Sequence, residues 1–226
     1  YRLVRFDARG CGRSSAPQPG FDWSLDQLVS DVLDIAQAAG VTRFHFIGNG
    51  IGGNVGLHMT DRYADRLLSV TAINCAADGK AITGMTQWIS LLEAAGKEEW
   101  VSAVIADRFH RGDVSPLMEA WMKRELMREP HVASLNLASL QCEIDMTEKL
   151  SAIRVPVMLV SADENPYLPA AHMAWMQSQI PGAALHVVPH SRDGLAMSHP
   201  EQCARAVHRF IRHYSGRRSL DMPAVI

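Results

Sequence analysis

The sequence predicts an α/β fold built on a mostly parallel sheet, with helices on both faces and a helical insertion. Three observations lead there. Short β-prone runs alternate with helical ones, a glycine-rich turn joins a strand to a helix, and a central stretch reads as helix only. The 226 residues are 47% apolar and 20% charged, an ordinary globular composition with enough apolar material for one substantial core.

Residues 2–6 read as a short strand ending in the loop Asp7-Ala-Arg9-Gly10-Cys-Gly12-Arg-Ser14. Ser24-Leu-Asp-Gln27 is a capping box. Leu25, Leu28, Val29, Val32, Leu33 and Ala36 then recur at helical spacing until Gly40 stops the helix. Arg43 to Ile47 is β-prone, Val55 to Tyr63 helical, and Leu67 to Asn74 a further strand. Residues 80–150, with Trp88, Trp100 and Trp121, read as a helical cap between two core segments, 1–79 and 151–215. In the second segment, strands at Val155 to Val160 and Ala184 to Val188 alternate with helices at Ala170 to Ile180 and Pro200 to Tyr214. Residues 216–226 read as a loose tail.

Several classes of function are disfavoured. A net charge of −2 with scattered basic residues does not suit nucleic acid. No apolar run reaches the roughly 20 residues of a membrane-spanning helix. Cys11, Cys75, Cys142 and Cys203 are too dispersed for a metal or disulfide framework, which together with the absence of a leader pattern fits a cytoplasmic protein without metal or cofactor. Cys75 reads as a buried, inert thiol near the sheet edge. The opening Tyr1-Arg-Leu-Val-Arg-Phe6 reads as the middle of a fold, so further strands are expected upstream.

Gly48-Asn49-Gly50-Ile51-Gly52-Gly53 admits two readings. As G-x-G-x-x-G it would cradle a dinucleotide, but that motif wants an acid at the end of the next strand, and no carboxylate occurs there before Asp78. As a nucleophile elbow, a sharp strand-to-helix turn, it needs small flanking residues and a strained central one. Gly48, Gly52 and Gly53 supply the first, and Gly50 accepts the strain.

The loop at Asp7 to Ser14, the capped helix, the run Phe46-Ile-Gly-Asn-Gly-Ile-Gly-Gly53 and Asp61-Arg-Tyr-Ala-Asp-Arg66 together resemble the α/β-hydrolase superfamily. The resemblance is to its small cap-bearing esterases and enol-lactone hydrolases. It implies a nucleophile at Gly50, an acid in the turn Ala162 to Pro169, where the matching position is Asn165, and a histidine seven residues before Pro200-Glu201, where Asp193 stands. It also implies a His-Gly loop before Tyr1. The register alternatives are Asp163 or Glu164 for the acid and His190 or His199 for the base. A triad needs a nucleophile, a base and an orienting carboxylate, and Gly50, Asp193 and Asn165 offer none in order.

The expectation is therefore a hydrolase-fold protein without the serine nucleophile, binding a small apolar molecule under its cap. Asn49, Ile51, Trp88 and Trp121 are the candidate ligand-binding residues. The alternative is an enzyme that needs no nucleophile: a decarboxylase or lyase, or an ester or lactone hydrolase assisted by Asp193. Asn165 and Asp193 together suggest a neutral ligand with a hydroxyl or amide donor.

Overall fold

In a computed structural model, residues 1–18, 20–215 and 224–226 are described. Six strands form one sheet in the order β1-β6-β2-β3-β4-β5. They are β1 (Arg2–Leu3), β2 (Phe44–Asn49), β3 (Leu67–Ile73), β4 (Val157–Ala162), β5 (Ala184–Val188) and β6 (Ala224–Val225), and every pairing is parallel.

Side-chain alternation along the central strands assigns the two faces. Val157 and Leu159 of β4 enter a core that also holds Val29 and Val32 of α1 (Leu25–Ala38), Val55 of α2 (Ile51–Arg62) and Met173 of a later helix. Met158, Val160 and Ala162 point the other way, onto Leu195 and Cys203. Both faces are covered, as a parallel sheet requires.

The cap comprises α3 (Met85–Ala94), α4 (Lys97–Arg108), α5 (Pro116–Arg128) and α6 (His131–Glu143). Leu92, Trp100, Val101, Val104 and Ile105 give it a small core of its own. The chain then supplies α7 (Ala170–Gln179), the short α8 (Leu195–Ser198) and α9 (Pro200–Tyr214). At α1, the Ser24 hydroxyl accepts from the Gln27 amide at 3.3 Å, the bond the capping box predicts.

Three expectations are corrected. The second helix begins at Ile51, not Val55, because Gly52, Gly53 and Asn54 are poor helix formers retained for close packing: a Cβ on Gly53 would lie 2.8 Å from the Cβ of Cys75. The first strand closes after Leu3. The tail is not loose throughout: Ala224 to Ile226 lie between β1 and β2, where Ile226 N donates to His45 O at 2.9 Å and Ile47 N to Ile226 O at 2.7 Å. The physical reason is pairing combined with burial. These residues satisfy an otherwise open strand edge while burying three apolar side chains. Residues 216–223 of the expected tail lie outside the described residues.

Candidate active site and its cavity

The turn between β2 and α2 places Gly50 at the sheet's C-terminal edge with φ 55° and ψ −122°, a conformation that strains any residue with a Cβ. Its neighbour Gly48 makes the turn sterically feasible, since a Cβ there would fall 2.2 Å from the carbonyl of Gly52. A Cβ on Gly50 itself would make an ordinary contact with Gln141 Nε2 at 3.5 Å.

Above Gly50 lies a cavity of about 160 Å³ between sheet and cap. Asn49, Gly50, Ile51, Trp88, Asn165 and Asp193 all line it, so residues far apart in sequence converge on one space. Asn165 is fixed by its own turn. Its Oδ1 accepts from the amides of Tyr167 at 2.9 Å and Leu168 at 3.3 Å, leaving Nδ2 to face Asp193 Oδ1 at 3.4 Å. Asp193 is held through its backbone: Asn74 Nδ2 donates to its carbonyl at 3.1 Å while Asn74 Oδ1 accepts from Ala162 N at 3.0 Å. Asn74 takes a positive φ of 44° at the end of β3, a conformation Asn tolerates better than most residues.

Other expected residues fall outside. Trp121 does not line the cavity. It is 42% exposed on α5, because the buried side of that helix is carried by Met122 instead. His190 also lies outside it, its side chain 90% exposed and 3.5 Å from Glu164. Glu164 faces His110 as well, at 3.4 Å, and His199 contacts the Ser198 hydroxyl at 2.8 Å. Asp163 staples the loop after β5 by accepting from the amides of His190 and Ser191, each at 3.0 Å. Burial acts to raise its pKa, but those two amides together with its own amide and the nearby His190 outweigh it and hold the carboxyl below its ordinary value. Burial pushes the Cys75 thiol up to about 12, which leaves it uncharged and unreactive at neutral pH.

The sequence reading missed Arg108, Gln141 and Asn74, all of which line the cavity. Arg108, at the end of α4, approaches Asp193 Oδ2 at 3.4 Å. Tyr167, also in the wall, donates its hydroxyl to Asp107 Oδ2 at 2.7 Å. Burial, then that hydrogen bond, drive the phenol pKa upward, so Tyr167 remains protonated. These contacts tie the last turn of a cap helix to two core loops.

A strand-turn-helix with a strained residue at its tip, beneath a helical cap, defines a cap-bearing α/β hydrolase architecture. The family model described as "alpha/beta hydrolase fold" matches residues 1–200, and the chain belongs to that family. Among curated relatives it is similar to "3-oxoadipate enol-lactonase 1" of Acinetobacter baylyi, 26% identical over 220 residues, covering 96% of this chain and 78% of that protein. It is also similar to "Putative carbamate hydrolase RutD" of Klebsiella pneumoniae, 27% identical over 203 residues, covering 81% of this chain and 71% of that one. Among solved structures, the enol-lactonase from Burkholderia xenovorans LB400 superposes with a TM-score of 0.82 at 21% identity, covering 91% of this chain and 79% of that chain, a likeness of fold.

Proposed function

We propose that this protein is an α/β-hydrolase homologue that forms no acyl-enzyme and instead holds a small, largely apolar molecule beneath its cap. The observation that carries this reading is Gly50 at the tip of the elbow, lining the cavity between sheet and cap with no side chain to activate. Asn165 cannot supply the charge of a triad carboxylate, and a carboxylate at the histidine position lacks the imidazole that takes up and returns a proton in a triad. The cavity's apolar wall, with Ile51, Ile82, Met85 and Trp88, suits an apolar body, and its polar residues suit one oriented polar group.

A serine-directed fluorophosphonate tests the reading. No serine is expected to be labelled, and stoichiometric labelling of a serine at the cavity would overturn it. Gly50→Ser alone is expected to create no efficient esterase, because nucleophile, base and orienting acid act as a unit.

Asp193 in the cavity wall favours a second reading, an enzyme that needs no nucleophile. Its carboxylate could assist water attack on an ester or lactone, the bond class named for the enol-lactonase relative. Slow hydrolysis of such substrates, abolished by Asp193→Asn, would select that reading. Turnover of a β-keto acid without acyl-enzyme formation would select a decarboxylase.

A further inference from the structure

The cavity's hydrogen-bonding groups are unevenly satisfied. Among the described residues, Arg108 Nε and Trp88 Nε1 are shut off from solvent and have no hydrogen-bond partner, while the Arg108 side chain as a whole is 29% exposed. Both can only donate. Asp193 sits among them as an acceptor whose side-chain contacts are loose. Arg108 Nε lies 3.4 Å from Oδ2, an ion contact without hydrogen-bond alignment, and Asn165 Nδ2 lies 3.4 Å from Oδ1. Charge-assisted bonds are ordinarily about 2.7–2.9 Å long, so the carboxylate keeps acceptor capacity. The protein thus presents a part-exposed guanidinium donor and an underused anionic acceptor in one wall.

The geometry points to a neutral carboxamide, carried on an apolar body about the size of one aromatic ring, as the ligand class of this cavity. Its oxygen accepts from the Arg108 guanidinium, which lines the cavity and is part-exposed there. Its N–H donates to Asp193. A carboxylate in that place would set a second negative charge near Asp193 with one guanidinium to serve both, and Asp107 adds a further negative charge beside Tyr167. An ester satisfies the donors but gives Asp193 nothing. Size agrees, because the 160 Å³ space compares with apolar cavities of about 150 Å³ that admit benzene. This inference rests on the reading that the cavity holds a ligand, and the test separates the two.

Isothermal titration of the whole chain at pH 7.5 with benzamide, benzoate, methyl benzoate and toluene distinguishes the possibilities. Benzamide is expected to bind about tenfold tighter than methyl benzoate or toluene, the worth of one satisfied buried hydrogen bond, with benzoate weakest. Trp88→Phe keeps an aromatic ring and removes only the N–H and part of the ring system. It is expected to change benzamide and toluene affinity alike, because the ring and not the N–H borders the cavity. Arg108→Gln is expected to erase the preference for benzamide, and Asp193→Asn to admit benzoate. Equal binding of the four compounds, preferential binding of benzoate, or a benzamide preference untouched by Arg108→Gln would overturn the carboxamide assignment while leaving the cavity a binding site. Failure of all four, toluene included, would overturn the ligand-binding reading as well.

Discussion

Replacing Gly48, Gly50 and Gly52 by alanine, one at a time, separates the two demands that the turn makes on its residues. At Gly48 the demand is room: the new Cβ would stand 2.2 Å from both the carbonyl carbon and the oxygen of Gly52 and 2.6 Å from Gly53 N. These are backbone atoms, so relief means parting β2 from α2, and a loss above about 4 kcal/mol is expected. At Gly50 the demand is conformational. The nearest atom is an ordinary contact at 3.5 Å, but φ of 55° with ψ of −122° costs a side-chain-bearing residue about 1–3 kcal/mol. At Gly52 nothing among the described residues lies within 4 Å of the added methyl and the residue is helical, so alanine is expected to gain up to about 1 kcal/mol. Urea unfolding followed by far-UV circular dichroism measures all three on one scale. The expected order of stability is Gly52→Ala, wild type, Gly50→Ala, Gly48→Ala. A Gly48→Ala protein as stable as wild type, or a Gly50→Ala protein less stable than Gly48→Ala, would refute the reasoning.

Two further outcomes follow from the core and the cap. His45 is fully buried, 2.7 Å from the Ser69 hydroxyl and 3.1 Å from that of Ser215, and burial lowers its pKa from 6.5 to about 4. Between those values the unfolded chain binds the extra proton. Stability is therefore expected to be complete above pH 6.5 and to fall by up to about 3 kcal/mol toward pH 4, with a shallower decline in His45→Gln. An identical pH dependence of urea midpoints in the two proteins would count against this. Tyr167→Phe removes the donor to Asp107 and is expected to cost about 1–3 kcal/mol, with cap residues gaining amide exchange before those of the sheet; uniform exchange would place the loss elsewhere.

Much of the fold was legible because it is local and periodic. The capped helix at Ser24 and the alternating strands carry their own signals, and the glycines around Gly50 announce the elbow without any knowledge of tertiary structure. Boundaries slipped where packing overrules propensity, as at Gly52 to Asn54, or where the backbone cannot donate, as at Pro156, whose carbonyl accepts from Val70 N at 2.9 Å but which has no N–H and stands just before β4. The strand at Ala224–Val225 was illegible since so short a segment has no readable period. Within the cavity, Gly50, Asn165 and Asp193 could be found through family spacing, whereas Arg108 could not. No spacing rule connects the end of a cap helix with a loop 85 positions later. Trp121 misled for a related reason: composition marks an aromatic residue as interesting, but only helix rotation decides which way it faces.

The contact between Asn74 and the Asp193 carbonyl bears on how such a site can change over time. Because the loop is gripped by its main chain, position 193 is a socket held in part by a bond that does not involve the side chain filling it. Asn74, by bridging that carbonyl and the Ala162 amide, keeps the two core segments in register above the sheet edge. A change of side chain at 193 would therefore alter the chemistry offered to the cavity without first requiring a new backbone path. Constraint on such a scaffold falls on Asn74, which does no chemistry, and freedom falls on the residue that could.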